Sequence, residues 1–410
     1  MIRSQTFALL KKIKDLTNLQ IEFIAFIPFR YYFSLQDPLM TLFKYRAKRK
    51  AVRKDLETHG VRATFWPFLF PFPRSAFHMR FLHLAVFLIQ LAPIVLLVAR
   101  KRRVRLIHAR SYPATLLALL CNKLLAIPYI FEMRGFFPEE GVIYGSYQRN
   151  SRDYSRWKTI EKSLIENSFS VIVESQPFRD YVDKIIHHPN ISLIPCYVDP
   201  TVFKFNSNHR KDIRERLGIS GKIVVTYCGT IGGWHDPDVQ ADYYLRIKKQ
   251  IKNTHFLILT FSQNNPRVIE TMKRKGLKRN EEYSLVNPIN SEIPFYLSAG
   301  DVGLLAIADL PTARKAVSVK FVEYLSCGLP VICTPFVGGA AELIRKHNCG
   351  AVVDLDNDVT FQTLNTLIER NEDTQHRGYQ LVREYLSLDV NARKFIQLYL
   401  SARLFSSHTE

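Results

Sequence analysis

Residues 318–344, SVKFVEYLSCGLPVICTPFVGGAAELI, carry side chains suited to binding a phosphorylated ligand. The pattern predicts a helix that opens near Ser318 and ends at Gly328, with Lys320 and Glu323 in its first two turns. The free N–H groups at a helix amino terminus attract phosphate, and Lys320 adds a full positive charge. Glu323 can accept hydrogen bonds from both hydroxyls of a ribose. An ordinary solvated helix face has the same composition, so this segment alone leaves both interpretations open.

Short apolar runs alternate with helix-length amphipathic segments along most of the chain. A parallel sheet covered by helices on both faces produces this pattern. After a polar, basic segment at 204–221 the pattern starts again, which predicts two successive doubly wound α/β units. The runs are IEFIAFI, VRLIHA, IPYIFEM, FSVIVES and ISLIPC before that segment, and KIVVTYCGT, HFLILTF, DVGLLAIA and LPVICTP after it.

Composition sets the class of protein and of partner. The 410 residues are 47% hydrophobic and 23% charged, as in a globular protein, and the net charge of +20 favours anionic partners. No RNA-binding or zinc-finger pattern is present in the sequence, so we predict no nucleic-acid partner. The six cysteines are far apart, which indicates buried thiols in a reducing compartment, and the amino terminus lacks the pattern of a signal peptide. We expect a cytoplasmic protein.

Four segments together resemble the family-four glycosyltransferases of GT-B fold. KFVEYLSCGLPVICTPFVGGAAELI is similar to the carboxyl-terminal signature of that family. IPCYVDPTVF at 194–203 is similar to its interdomain linker, VTYCGTIGGWHD at 225–236 to the glycine-rich first loop of its second domain, and IFEMRGFFPEE at 130–140 to an acidic-Arg-Gly segment of its first domain. Because the four segments occur in the family's order, the resemblance is specific. It implies an enzyme that uses a nucleotide sugar and retains the anomeric configuration.

The resemblance also implies the domain plan. It gives two Rossmann-like doubly wound domains facing a central cleft. We expect a Rossmann-like acceptor-binding domain at 1–199, a Rossmann-like nucleotide-sugar-binding domain at 200–375, and a helical segment at 376–410 that packs back toward the first domain.

The implied donor site departs from the family pattern at two points. Glu323 matches the glutamate that binds the ribose, but Lys315 stands where the family often has a second glutamate for the sugar hydroxyls. The loop at 229–236 lacks the Arg and Lys that hold the diphosphate in many members, although its glycines permit close backbone approach to phosphate. A tight turn without a ligand is the alternative for these glycines. Lys320 becomes the leading cation for the diphosphate, with Arg314 and Lys315 as substitutes. The predicted donor-binding residues are Gly229, Gly232, Gly233, Arg314, Ser318, Lys320 and Glu323.

The segment at 130–140 supplies the predicted catalytic residues Glu132, Arg134 and Glu139. Departure of the sugar needs a charge that stabilises the leaving phosphate, which suits Arg134, and the acceptor hydroxyl must lose a proton, which suits a glutamate. Alternatively, Glu132 and Arg134 pair with each other and brace the loop. The predicted acceptor-binding residues are Glu140 in the same loop and His108 and Arg110 at the end of the preceding strand.

No metal and no cofactor are expected. Paired aspartates can hold Mg²⁺ under a diphosphate, and the sequence contains two such Asp-X-Asp triplets. Asp236 to Asp238 has the pattern of a helix amino-terminal cap with proline in the first turn, and Asp354 to Asp356 that of a surface turn. GT-B enzymes generally work without a metal.

Basic and apolar runs of the first domain indicate contact with a membrane. Residues 44–54 hold seven basic residues and residues 100–105 hold five, and an anionic membrane surface would attract both if they share a face. The aromatic stretch at 64–81 could enter such an interface. The uncharged stretch at 81–99 is long enough to span a bilayer, but His83, Gln90 and Pro93 within it favour a helix that covers the sheet.

The sequence predicts a glycosyltransferase that moves a sugar from a nucleotide-diphosphate sugar to a lipid-linked or growing glycan acceptor. Surface polysaccharide synthesis (capsule, exopolysaccharide or O-antigen) at the inner face of the membrane is the expected setting. A catalytically silent GT-B scaffold subunit and a nucleotide-sugar epimerase of the same fold are the alternatives.

Overall fold

The computed structural model of the chain describes residues 3–28, 38–68, 81–232, 234–315, 317–369 and 371–407. Within these residues strands and helices alternate, as the hydrophobic pattern predicts. The strands are β1 (Ile21–Pro28), β2 (Val61–Phe68), β3 (Ile107–Arg110), β4 (Tyr129–Glu132), β5 (Ser170–Val173), β6 (Ile191–Leu193), β7 (Ile223–Cys228), β8 (Thr254–Leu259), β9 (Tyr283–Val286), β10 (Val302–Leu305), β11 (Val331–Cys333) and β12 (Gly350–Val352). The helices are α1 (Ala8–Leu16), α2 (Pro38–Glu57), α3 (Phe81–Lys101), α4 (Tyr112–Leu125), α5 (Phe137–Ile143), α6 (Arg152–Glu166), α7 (Gln176–Ile185), α8 (Ser207–Leu217), α9 (Pro237–Gln250), α10 (Asn265–Arg274), α11 (Ile293–Ser298), α12 (Val319–Ser326), α13 (Gly338–His347), α14 (Val359–Glu369), α15 (Asn371–Leu381) and α16 (Leu388–Ser407).

The chain divides into two compact units. Unit 1 comprises Met1–Val173, Arg179–Ile194 and Ala392–Glu410, and unit 2 comprises Glu174–Phe178 and Pro195–Asn391. The predicted domain boundaries at 199/200 and 375/376 stay predictions.

Unit 1 contains two parallel sheets, β1-β2 and β3-β4-β5-β6. The register between β3 and β4 places Arg110 opposite Glu132 at the carboxyl ends of both strands. β2 was not anticipated from the sequence: residues 64–68 of the aromatic stretch lie in this strand, and residues 69–80 lie outside the described residues. The β1-β2 pair therefore uses part of the stretch that the sequence assigned to a membrane interface.

Unit 2 contains one six-stranded parallel sheet in the order β12-β11-β10-β7-β8-β9. The chain adds β8 and β9 on one side of β7 and then crosses to add β10, β11 and β12 on the other side. The predicted doubly wound arrangement is confirmed. Its central strands are buried on both faces because helices cover the sheet.

Local sequence signals fix the ends of α12. Ser318 caps the helix, since its hydroxyl accepts a hydrogen bond of 3.3 Å from the Lys320 N–H. Gly328 adopts a left-handed conformation with φ of +77° just beyond the end of the helix. The helix predicted between Ser318 and Gly328 is therefore confirmed. The six cysteines are free and buried, as expected.

The carboxyl-terminal helical pattern is interrupted rather than continuous. A π-helical turn (Val382–Leu386) follows α15, and the extended backbone at Ser387 precedes α16. From Ala392 onward the chain belongs to unit 1.

α3 is the element behind the membrane question. By length and composition alone it is the one helix in the described part of the chain that could cross a membrane, and 28% of its apolar window is buried. It packs against α4 and β2 of unit 1. One side of α3 therefore packs against its own unit, as expected for a helix that covers the sheet.

Candidate active site

The loops of unit 2 that follow β7 and β10 leave the sheet where the strand order reverses. Ligands of open parallel sheets bind at the carboxyl ends of the strands at such a switch point. The loop after β7 runs from Gly229 to His235, and the segment after β10 leads into α12. A hydrogen bond of 3.4 Å from the Ala308 N–H to the Trp234 carbonyl joins the two loops.

Lys320 in the first turn of α12 lies directly across Gly229. A Cβ atom at Gly229 would lie 2.0 Å from Lys320 Cε, and φ at Gly229 is +149°, so a glycine is required here. One helical turn later, the Tyr324 hydroxyl accepts a hydrogen bond of 2.7 Å from the Cys228 N–H. These contacts hold the start of α12 against the end of β7.

Lys320 Nζ lies 2.9 Å from His235 Nε2. Reciprocal backbone hydrogen bonds between Gly232 and His235 close the turn that brings the imidazole there. Two protonated groups would repel each other at this distance, so the lysine donates to a neutral imidazole. Burial lowers the pKa of Lys320 to about 8. Burial and the lysine charge together hold the pKa of His235 well below its usual range.

Glu323 lies one turn further along α12. Its half-buried carboxylate has no hydrogen bond and no ion pair with any residue that the structure describes. Burial raises the pKa of this carboxyl to about 7, although Lys320 opposes the shift. Glu323 and Lys320 thus lie one helical turn apart at the switch point, and neither forms an ion pair with a described residue. Both charged groups are available to bind a polar ligand.

The other predicted donor-site residues have different surroundings. Arg314 is exposed, and its guanidinium forms two hydrogen bonds of 2.6 and 2.8 Å with Asp309. Lys315 donates to the Pro311 carbonyl at 2.8 Å. Ser318 is used as the cap of α12, and Gly233 lies outside the described residues. The structure therefore brings Gly229, Lys320 and Glu323 into one site and gives Arg314 a different partner.

In unit 1, Glu132 is the centre of a basic cluster. Its buried carboxylate lies 3.1 Å from His108 Nε2, 3.4 Å from Arg110 Nη1 and 3.5 Å from Arg134 Nη1. Burial alone would raise the pKa of Glu132, but Arg110, His108 and Arg134 together hold it well below its usual range. The His108 Nδ1 atom lies 2.6 Å from the Tyr399 hydroxyl of α16. Four residues that the sequence assigned to catalysis or acceptor binding thus share one ion-pair network.

Glu139 belongs to a second network of unit 1. Its Oε1 atom accepts hydrogen bonds from Tyr154 (3.2 Å), Lys158 (3.2 Å) and Tyr181 (3.1 Å). Lys158 also donates to the buried Glu161 of α6. Glu140 is buried and accepts from the Phe136 N–H at 3.3 Å, so it folds back on its own loop. The catalytic role of Glu139 and the acceptor role of Glu140 stay predictions.

Two family models match the chain and divide it between them. The model described as Glycosyltransferase Family 4 matches residues 43–202, and the model described as Glycosyl transferases group 1 matches residues 222–370. The second match contains the whole Gly229, His235, Lys320 and Glu323 site. The chain belongs to the family-four glycosyltransferases.

Solved GT-B structures share the fold of this glycosyltransferase. Sucrose-phosphate synthase from Thermosynechococcus elongatus has a TM-score of 0.67 at 16% identity, over 94% of this chain and all of that one. HepE from Anabaena, solved with UDP-glucose, has a TM-score of 0.62 at 16% identity, over 86% of this chain and 89% of that one. A glycosyltransferase from Rickettsia africae has a TM-score of 0.65 at 15% identity, over 94% and 99%. No curated protein sequence matches. At these identities the likeness establishes the GT-B fold of two Rossmann-like domains.

Both aspartate pairs of the glycosyltransferase have protein partners. Asp236 caps α9 and pairs with Arg267 at 2.9 Å. Asp354 accepts from the Asp356 N–H at 3.2 Å within a turn. The described residues contain no cluster of three or more His, Cys, Asp or Glu arranged to hold a metal. The predicted cap and turn are confirmed, and the absence of a metal requirement stays a prediction.

His235 is the site residue that the sequence analysis missed. Its position six residues after Gly229, at the end of the glycine-rich loop, was the available signal. The partner, Lys320, is 85 residues further along the chain, and only the fold brings the two together.

Proposed function

We propose that this glycosyltransferase binds a nucleotide-diphosphate sugar at the Lys320–Glu323 site and transfers the sugar with retention. The acceptor is a lipid-linked or growing glycan of surface polysaccharide synthesis, and the enzyme works at the inner face of the membrane. The observation that carries the donor site is the unpaired Glu323 carboxylate one helical turn from Lys320 at the switch point. The basic charge of the chain supports an anionic, membrane-associated setting.

The donor-site residues act on different parts of the donor in this proposal. The ionised Glu323 carboxylate accepts hydrogen bonds from the two ribose hydroxyls, and protonated Lys320 binds the diphosphate. As the bond between sugar and diphosphate breaks, negative charge grows on the leaving phosphate, and Lys320 stabilises it. Neutral His235 keeps Nζ directed at the loop without competing for the anion. The proposal includes no metal, because Lys320 and the amino terminus of α12 supply positive charge.

Unit 1 supplies the acceptor side of the proposal. Arg110 is partly exposed, with 26% of its side chain accessible, so it can contact an anionic acceptor while it pairs with Glu132. His108 is held between Glu132 and Tyr399, which fixes its ring. Arg134 is the proposed catalytic residue for charge on the leaving phosphate.

A donor screen tests the activity. The purified chain is incubated with UDP-, GDP-, ADP- and dTDP-sugars, beginning with UDP-glucose because HepE was solved with it. Slow release of a nucleoside diphosphate supports the transferase. An altered sugar without release shows an epimerase, and inertness toward every donor shows a scaffold subunit; either result overturns the proposal.

Glu323→Gln is expected to weaken binding of the donor about tenfold to a hundredfold, because hydrogen bonds to a charged acceptor contribute roughly 1.5–3 kcal/mol. Titration calorimetry measures the change. The matched control is Glu342→Gln, an exposed glutamate on α13 of the same unit, which should bind as the wild type does. Unchanged affinity in Glu323→Gln would remove the ribose assignment.

The affinity for the donor is expected to be highest between about pH 7 and pH 8. Lys320 must be protonated to attract the diphosphate, so affinity falls as pH rises through its pKa of about 8. Glu323 must be ionised to accept from the ribose, so affinity also falls as pH drops through its pKa of about 7. Calorimetry across this range uses the intact nucleotide sugar, whose diphosphate is esterified at both ends and keeps both of its negative charges over this range. In Glu323→Gln the fall in affinity below pH 7 (the acidic limb) should disappear, and the fall above pH 8 (the alkaline limb) should remain. If the acidic limb persists in this variant, a group other than Glu323 causes it.

A further inference from the structure

α3 has an uncovered apolar face. Its buried residues include Leu84, Phe87 and Leu91, which lie on one side of the helix. On the opposite side Ile89 is 74% exposed and Leu97 is 67% exposed, with exposed Pro93 midway between them. A helix on the surface of a water-soluble unit normally carries polar residues on this side. Water is therefore a poor environment for the outer face of α3.

This apolar face ends at positive charges. Arg100, Lys101 and Arg102 are exposed and follow Leu97 within about two helical turns. Arg102 lines a pocket of about 330 Å³ together with Arg53, the last arginine of the basic run in α2. The two basic runs that the sequence analysis singled out thus meet at one place in unit 1.

The pocket has a surplus of guanidinium groups. Glu57 pairs with Arg53 at 2.8 Å, and Glu22 lies 3.7 Å from Arg102 while it accepts a hydrogen bond from Thr64. Arg62 of β2 also lines the pocket and has no hydrogen-bond or ion-pair partner within the described part of the chain. A guanidinium matches the geometry of a phosphate, which can accept two parallel N–H bonds.

We propose that unit 1 docks on an anionic lipid surface, with the Ile89–Pro93–Leu97 face of α3 in the interface and a lipid phosphate in the pocket at Arg62 and Arg102. An apolar helix face ending in basic residues is the pattern of a helix that lies in the plane of a membrane. The proposal rests on the membrane location in the proposed function and assigns it to particular residues. It places the docking surface on elements that carry none of the donor-site residues.

Vesicle sedimentation of the full-length chain tests the docking surface. Wild type should bind phosphatidylcholine vesicles that contain phosphatidylglycerol and leave pure phosphatidylcholine vesicles in solution. Leu97→Glu should weaken binding at least about tenfold, since an apolar side chain leaves the interface, and Arg62→Glu about fivefold or more. The matched controls are Leu124→Glu, a 64% exposed leucine of α4, and Lys162→Glu on the exposed side of α6; both should bind as wild type.

Other outcomes overturn the docking surface. Binding that Leu97→Glu leaves intact would exclude the α3 face, and calorimetric binding of inorganic pyrophosphate without vesicle binding would show a site for a soluble phosphate. Retention on membranes through an alkaline carbonate wash would show that α3 spans the bilayer. Turnover of the donor in solution, measured on the same samples, should be equal in wild type and all four variants. Vesicle binding without turnover would contradict the proposed reaction and leave the docking surface standing.

Discussion

Lys320→Met is expected to lower kcat/KM for the donor about a hundredfold to a thousandfold, the usual effect of removing a group that stabilises developing negative charge. Lys320 lies against Gly229 of the glycine-rich loop, and Arg314 and Lys315, the substitutes considered for the diphosphate in unit 2, have partners elsewhere. Release of the nucleoside diphosphate from the donor measures the effect. The variant should also lose the alkaline limb of the affinity profile.

The stability of Lys320→Met should stay close to that of wild type. Lys320 forms no ion pair with a carboxylate among the described residues, and its charge is buried, so little stabilisation is lost with it. Without the lysine charge the pKa of Glu323 should rise further, so the carboxyl takes up a proton instead of remaining as a buried charge. The pKa of His235, which the lysine charge helps to depress, should rise, and NMR titration of the imidazole detects this change. The control is Lys346→Met, an exposed lysine in the last turn of α13. Wild-type turnover in Lys320→Met would show that the diphosphate binds elsewhere.

The fold was predictable because burial dictates it locally. Nine apolar runs became strands, since a strand covered by helices on both faces must be apolar along its length. The three strands that the sequence analysis did not identify were β2, β9 and β12. β2 contains a proline and three aromatic residues, β9 has a serine within its four residues, and β12 begins with a glycine, so none of the three forms a continuous aliphatic run.

The donor site was less predictable than the fold. Ser318, Lys320 and Glu323 follow one another on a single helix, and helical spacing alone places them together. The contact between His235 and Lys320 depends on the crossing from β7 to β10, and the spacing of residues within one segment gives no information about this crossing.

The apolar residues on the exposed side of α3 were also not predicted. A covering helix needs only one apolar face, and the sequence is apolar on both.

The Glu132 cluster shows how a residue type suited to catalysis can have a structural role. Sequence reasoning placed Glu132 at the end of a strand and considered either proton transfer or a pair with Arg134. The parallel register adds Arg110 from the neighbouring strand, and His108 completes the cluster. A carboxyl whose pKa is held far below neutrality binds protons poorly, which makes it a weak base for an acceptor hydroxyl. The geometry therefore favours bracing of the loop over proton transfer by Glu132.

Glu132→Gln is expected to destabilise unit 1 by about 3–5 kcal/mol, because it leaves two arginines and a histidine without their shared counter-charge in a buried site. Amide hydrogen exchange measures this locally: peptides from β3, β4 and β5 should lose protection, while peptides from β7 and β8 of unit 2 provide an internal reference.

The pH dependence of this protection distinguishes a lost charge from altered packing. A depressed pKa stabilises the native state above the ordinary carboxyl value of 4.5, and that stabilisation disappears as pH falls below it. Wild type should therefore lose amide protection in β3 to β5 as the pH falls. In Glu132→Gln this loss should be smaller, because the variant has no carboxyl at position 132 to protonate. Glu166→Gln, an exposed glutamate at the end of α6, is the matched control and should behave as wild type. Full protection together with a loss of turnover in Glu132→Gln would contradict the structural role. It would show that the Glu132 carboxylate takes part in the reaction and that Arg110 and Arg134 stabilise the loop through other partners.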